Sequence, residues 1–120
     1  MYMVMFVARS VQQATDVLNV WIKAGIQGVT ILESAGMTQV VKRGIRDDVG
    51  IMLSLNALLR AQEVHHRTLF SAVKDEATLE RVVQATTDFV EDWAKPDVGV
   101  LFVWPLTQAY GMEKRVEPER

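Results

Sequence analysis

The stretch GVLFVWPLTQA, residues 99–109, carries more information about the fold than any other part of the chain. Residues 100–104 are all β-branched, aromatic or leucine, and such a run is typical of a strand that is buried on both faces or nearly so. Pro105 has no amide hydrogen to donate to a neighbouring strand. We therefore expect the strand to end, or to reach an edge of its sheet, at Pro105.

Three further strands are predicted before this one. The first covers residues 2–8, where almost every side chain is apolar. The second covers residues 29–34 and is followed by Gly36, and the third covers residues 67–73. Together with residues 100–104 they supply four strands of similar length, which is enough for one small sheet.

Two helices separate these strands. Ser10 is followed three residues later by Gln13, a capping-box pattern that begins a helix, and Gly25 offers the left-handed end that many helices use. Asp75 is predicted to cap the second helix, which residues 95–97 should end. The buried face of this second helix is predicted to consist of Leu79, Val82, Val83, Thr86, Phe89, Val90 and Trp93.

The predicted order is β-α-β-β-α-β, with an extra helix inserted between the second and third strands. Two βαβ halves with right-handed crossovers give an α+β, ferredoxin-like sandwich, in which both main helices cover one face of four antiparallel strands. Residues 3–7 and 101–103 are nevertheless apolar at consecutive positions, so both faces of the sheet are apolar. One chain covers only one face, and we therefore expect the chain to self-associate.

A long insertion, residues 37–64, follows the second strand. Its basic part, residues 38–48, is expected to be mobile and to recognise a protein target through Lys42, Arg43 and Arg46. Its second part, residues 50–64, has an apolar stripe at helical spacing, formed by Ile51, Met52, Leu55, Leu58 and Leu59. Such a stripe requires burial, so we expect an ordered helix packed on its own subunit or on a neighbouring one.

Composition excludes several classes of function. The chain has 120 residues, a net charge of -2 and no cysteine, so it is one domain without disulfides, thiol catalysis or thiolate metal sites. A general nucleic-acid-binding protein would usually be basic. No apolar run approaches a membrane span, and we expect a cytoplasmic protein. Residues 1–112 are predicted to form the domain, and residues 113–120 a charged, mobile tail.

Three segments resemble the P-II and P-II-like nitrogen regulatory signalling proteins over about residues 1–112. Residues 24–30, AGIQGVT, are similar to the family's G-x-x-G-M-T passage. Gly36 stands where the family's T-loop leaves the second strand, and residues 99–106 are similar to its last strand. The resemblance implies a non-enzymatic homotrimer with clefts between subunits that bind adenine nucleotides, and a T-loop that contacts a target transporter or enzyme.

The same resemblance implies a set of ligand-binding residues in the cleft between subunits, namely Thr30, Gly36, Gln39, Lys95 and Gly99. The residues that would hold phosphates differ from the family's pattern. Val100 stands in place of a lysine, and Gly111 and Glu113 stand in place of two arginines. We therefore expect ATP of the usual kind to bind weakly or not at all, and 2-oxoglutarate likewise.

Two other functions are compatible with the predicted fold. Glu63, His65 and His66 are the only compact group of metal-ligand residue types, but this is a generic set, and we expect no metal site there. A ferredoxin-like dimeric-barrel enzyme of the small monooxygenase or isomerase type would use His65 or His66 in a pocket. A CutA-like metal-binding trimer would share the trimeric architecture. Three subunits rather than two would favour the P-II-like interpretation over the barrel.

Overall fold

The first strand of the chain lies inside the sheet, between partners that come much later in the sequence. The computed structural model describes residues 1–35 and 65–116. The elements in chain order are β1 (Tyr2–Ala8), α1 (Val11–Ala24), β2 (Thr30–Ala35), β3 (His65–Val73), α2 (Glu76–Val90) and β4 (Val100–Pro105). The strand order is β2-β3-β1-β4 with every neighbouring pair antiparallel. This arrangement confirms the predicted ferredoxin-like α+β fold.

The predicted element bounds agree closely with the observed ones. β2 begins and ends one residue later than predicted, and β3 begins two residues earlier. Pro105 is the last residue of β4 and pairs with Tyr2 at the sheet edge, where a residue without an amide hydrogen is tolerated. The predicted helix at residues 50–64 lies outside the described residues.

The ends of α1 follow from the residues predicted to cap it. The Ser10 hydroxyl accepts a hydrogen bond from the Gln13 amide at 3.0 Å, and the Gln13 side chain accepts one from the Arg9 amide at 2.8 Å. Gly25 ends the helix with φ of 112°, a conformation that a residue with a side chain adopts only with strain. These local bonds fix where the chain turns from β1 into α1 and from α1 towards β2.

The core lies between the two helices and one face of the sheet. Its largest fully buried side chains include Trp21 of α1, Phe6 of β1 and Leu69 of β3. The Trp21 indole donates to the Thr86 hydroxyl at 3.0 Å, and that hydroxyl donates to the Val82 carbonyl at 2.6 Å. The only polar atom of the indole therefore has a hydrogen-bond partner in the core. This bond also connects α1 to α2.

Replacing Thr86 with valine should lower the free energy of unfolding by about 1–3 kcal/mol, because the buried Trp21 N–H would lose its acceptor. Urea unfolding measures this loss, and Thr86→Ser should recover most of it. Thr87→Val is a matched control, since Thr87 accepts a similar bond at 3.3 Å from Trp93, whose side chain is 37 % exposed. An equal loss for both valine variants would contradict the proposed role of the buried bond.

The second helix ends earlier than its apolar pattern predicts. α2 stops at Val90, and Glu91 has φ of 70°, which takes the backbone out of the helical path. Phe89 and Trp93 are 39 % and 37 % exposed, so the prediction that both belong to the buried face is wrong. Trp93 instead lies in the following turn, with its ring centroid 6.3 Å from that of Phe6.

The face of the sheet opposite the helices is apolar and uncovered by the described residues. One row across all four strands consists of Thr30, Phe70, Met5 and Phe102, in that order. β4 is an edge strand, and its Phe102 and Trp104 are 49 % and 38 % exposed. The expectation that β4 is buried on both faces is therefore wrong for the single chain. We call this surface the open face.

None of the helices in residues 1–35 and 65–116 has the length and apolar composition needed to cross a bilayer.

Candidate functional site

A polar cleft lies at the end of the sheet where α1 stops and α2 begins. It has a volume of about 470 Å³, and its walls come from the turn after α1, the end of β3, the start of α2 and the C-terminal segment. We call it the Gly25 cleft and define it by Gly25, Gly28, Ser71, Lys74 and Met112. It contains part of the AGIQGVT segment on which the family resemblance rests.

The shape of the Gly25 cleft is set by a few bonds. The Ser71 hydroxyl donates to the Gly28 carbonyl, which fixes the turn against β3. The Arg81 guanidinium of α2 donates to the Ala24 carbonyl at 3.3 Å and to the Thr78 hydroxyl at 3.0 Å. A cation at this point also offsets the negative end of the α1 dipole. The turn is therefore held from both β3 and α2.

The charged groups of this cleft are partly neutralised by each other. Lys74 pairs with Glu113 at 3.7 Å, and Asp75 accepts the Thr78 amide at 2.7 Å as the cap of α2. Those hydrogen bonds from Thr78 lower the pKa of the Asp75 carboxyl. The cleft can hold a small polar ligand through backbone groups and one lysine. The sequence analysis did not identify Lys74 and Arg81 as candidate site residues. For Lys74 the available signal was its position between the predicted third strand and the helix cap Asp75.

The sequence-predicted ligand residues lie on opposite edges of the sheet. Thr30 is the first residue of β2, whereas Gly99 directly precedes β4 and Lys95 lies in the turn before it. Three inter-strand spacings separate the two edges, a distance of about 14 Å. One chain therefore does not bring these residues together. The remaining predicted residues lie outside the described part of the chain: Gly36, Gln39, Lys42, Arg43, Arg46 and Glu63.

Gly99 is required by packing. A Cβ atom at this position would overlap the carbonyl oxygen of Val7 and lie 2.8 Å from Cζ of Phe6. β4 can therefore approach β1 at this point only when residue 99 has no side chain. The observed geometry gives a sufficient reason for glycine here without any ligand.

The turn that carries Lys95 is predominantly acidic. We call residues 91–97 the acidic turn; its charged side chains are Glu91, Asp92, Lys95 and Asp97. The turn is well defined, since the Ala94 amide donates to the Asp92 carboxylate at 2.9 Å and the Val98 amide to the Lys95 carbonyl at 3.4 Å. Three carboxylates against one ammonium disfavour a polyphosphate at this turn.

The histidine pair at the start of β3 lies only partly within the described residues, because Glu63 and the side chain of His65 fall outside them. Within residues 1–35 and 65–116, no group of three or more potential ligand side chains could hold a metal ion. His65 is described only as the first backbone position of β3, and His66 is 8 % exposed. Burial lowers the pKa of the His66 imidazole, and the positive charge of Arg9 lowers it further.

We expect the protein to lose stability as the pH falls below about 6.5, the ordinary pKa of histidine. The folded state resists protonation of His66, so below this pH the unfolded chain binds more protons and is favoured. Thermal unfolding of the wild type and of His66→Gln over the range from about pH 7 to 5 measures the effect. The variant should show a smaller decline.

Asp75→Asn is the control for this pH dependence. The pKa of Asp75 is lowered in the fold, so its contribution is present above the unfolded pKa and is lost only below about pH 4. This variant should keep the wild-type slope between about pH 7 and 5. An unchanged slope in His66→Gln would show that another group is responsible.

Comparison with known proteins shows similarity in structure but not in sequence. No protein-family model matches the chain, and no curated protein is similar to it in sequence. A PII-like signalling protein of Thermus thermophilus superposes with a TM-score of 0.52 and 20 % identity, covering 86 % of this chain and 83 % of its own. CPII of Thiomonas intermedia, solved with ADP, AMP and acetate, superposes with a TM-score of 0.52 and 16 % identity, covering 85 % of this chain and 81 % of its own.

These two structures confirm the expected fold. The chain has the fold of PII-like signalling proteins along most of its length, as residues 24–30 and 99–106 predicted.

Proposed function

We propose that this protein is a non-enzymatic, cytoplasmic PII-like regulator. It assembles as a homotrimer, senses a small ligand at clefts between subunits, and contacts a protein target through residues 37–64. The observation that carries the proposal is the open face on a PII-like fold. The row of Met5, Phe70 and Phe102 crosses this face, and a contiguous, exposed apolar patch on a folded chain marks an interaction site.

The placement of the predicted ligand residues supports a site between subunits. Thr30 lies on the β2 edge, and Lys95 and Gly99 lie beside the β4 edge of the same sheet. In a closed ring of copies, the β4 edge of one copy meets the β2 edge of the next copy. Each of the clefts so formed would lie between the β2 edge of one copy and the β4 edge of its neighbour.

An adenine nucleotide with few phosphates is the ligand that we propose for these clefts. CPII, which has the same fold, was solved with ADP and AMP. In this chain Val100, Gly111 and Glu113 stand where the family has cations, and the acidic turn adds negative charge near Lys95. Each further phosphate should therefore weaken binding by electrostatic repulsion.

We expect ATP to bind weakly or not at all, with AMP and ADP binding better. A ligand that binds only the native state raises the melting temperature, so a thermal-shift series with AMP, ADP and ATP ranks the three. Bicarbonate, 2-oxoglutarate and divalent metals complete the series. Micromolar ATP affinity in calorimetry would contradict the expected weak binding of ATP.

Light scattering on the same samples tests the assembly. Three subunits are expected. Two subunits would favour the dimeric-barrel enzyme, and metal-dependent stabilisation of a trimer would favour a CutA-like protein. A monomer at every concentration would refute the proposed assembly.

A further inference from the structure

The segment that follows β4 crosses the end of the sheet and reaches the Gly25 cleft. The Leu106 amide donates to the Met1 carbonyl at 2.9 Å, which places the start of the segment beside β1. Glu113 then pairs with Lys74, the residue that follows β3. We call residues 106–113 the C-terminal strap, because each of its ends is attached to the end of the sheet.

Two neighbouring side chains of the C-terminal strap meet the Gly25 cleft. Met112 lines it, and the Glu113 carboxylate lies 3.7 Å from the Lys74 ammonium. Lys74 is the one positively charged residue among the described residues that line this cleft of about 470 Å³. The chain therefore supplies an apolar group and a carboxylate to its own cleft.

The C-terminal strap is held by few contacts. The side chains of Lys74 and Glu113 are 61 % and 86 % exposed, and ion pairs with this exposure contribute little to stability. Tyr110 is 86 % exposed, and no side chain of the strap belongs to the hydrophobic core of the described residues. A segment with so little buried surface leaves its place at a small free-energy cost.

Without the strap, the cleft offers binding groups of two kinds. The Lys74 ammonium loses its carboxylate, and the amides of Gln27 and Gly28 donate to no group that the structure describes. Apolar surface comes from Ile26 and Val73, which also line the cleft. A carboxylate on a short aliphatic chain fits both kinds of group, and it combines the chemistry of the two strap side chains.

We propose that the Gly25 cleft binds a small aliphatic carboxylate and that the C-terminal strap is its internal competitor. The ligand carboxylate takes the place of Glu113 on Lys74, and the aliphatic chain takes the place of Met112. Binding thereby releases the strap, and occupancy of the cleft becomes a change in the exposure of residues 106–113. This site lies within one chain, so it is additional to the clefts between subunits and does not depend on assembly.

Release of the C-terminal strap can be measured by chymotrypsin cleavage after Tyr110, because a protease cuts a segment in its opened form. The experiment uses the full chain at neutral pH, with butyrate as the probe and mass spectrometry to assign the cut. We expect butyrate to raise the cleavage rate until the effect saturates, at the millimolar concentrations that so small a ligand requires. A free peptide containing the Tyr110 sequence corrects for effects on the protease.

Two salts control for charge and for the aliphatic chain. Sodium chloride at the same ionic strength supplies anions without a carboxylate, and butylammonium chloride has the same kind of chain with the opposite charge. Neither salt should raise the cleavage rate.

Substitutions separate the strap from the binding site. Glu113→Gln should speed cleavage without butyrate and lower the butyrate concentration for half of the effect about fivefold, the most that an exposed ion pair contributes. Lys74→Gln should also free the strap, but it should abolish the response to butyrate. Glu80→Gln on α2 and Lys23→Gln on α1 make the same changes in charge at exposed positions outside the cleft, and both should behave like the wild type.

The outcomes decide the inference without involving the proposed function. A butyrate response that is more sensitive in Glu113→Gln and lost in Lys74→Gln supports it. An unchanged cleavage rate with butyrate, or an equal increase with either control salt, overturns it. Wild-type cleavage of Glu113→Gln in the absence of butyrate also overturns it, because the ion pair would then not hold the strap. Light scattering and the nucleotide series test the proposed function separately.

Discussion

Replacing Gly99 with alanine is expected to lower the free energy of unfolding by about 2–3 kcal/mol, a large effect for one methyl group. The added Cβ would overlap the Val7 carbonyl oxygen, and Phe6, which is fully buried, lies behind it. Neither neighbour can move away easily, because one is backbone of the central strand and the other fills the core. Urea unfolding monitored by circular dichroism measures the loss.

Gly28→Ala is the matched control. No atom lies within 4 Å of a Cβ at Gly28, and its φ is outside the left-handed region that favours glycine. Alanine there should leave stability unchanged or raise it slightly, since the unfolded chain loses conformational freedom. Equal losses at Gly28 and Gly99 would contradict the packing explanation.

Replacing Phe102 with aspartate is expected to abolish assembly while leaving the single chain folded. Phe102 lies on the open face and is 49 % exposed in the single chain, so a carboxylate there costs little before association. In an assembled interface an unpaired carboxylate costs several kcal/mol, and about 3 kcal/mol already corresponds to more than a hundredfold in a dissociation constant. Light scattering combined with circular dichroism shows both results.

Two other substitutions serve as controls for this prediction. Leu101 points to the helix side and packs against the core, so Leu101→Asp should unfold the chain. Tyr110 is 86 % exposed, and Tyr110→Asp should change neither folding nor assembly. A Phe102→Asp variant that remains trimeric would show that the open face is not the interface.

The elements were predictable where local chemistry decides them. Ser10, Gln13 and Gly25 define the ends of α1 through bonds within a few residues. The end of α2 was not predictable in the same way, because the apolar period continues to Trp93 while the backbone leaves the helix at Glu91. Periodicity reports which side chains are apolar, but it contains no signal for this change in φ.

The candidate sites were harder to predict from the sequence than the helices and strands. Thr30 and Lys95 were expected to belong to a cleft between subunits only through family resemblance, and that expectation remains a proposal. Their separation across the sheet depends on the strand order, which no single segment encodes. The Gly25 cleft depends on Lys74 and Arg81, which reach it from the end of β3 and from α2; contacts over such sequence distances leave no local pattern.

The central position of β1 has a consequence for how the chain folds. Tyr2 pairs with Val73 on one side and with Pro105 on the other, so β1 leaves the ribosome well before either of its partner strands has been made. Folding must close two long loops, which slows it, and the nascent chain exposes an apolar strand in the meantime. Chains shortened before Val100 should therefore aggregate, because they lack β4 and the edge of β1 that includes Phe6 would have no partner strand.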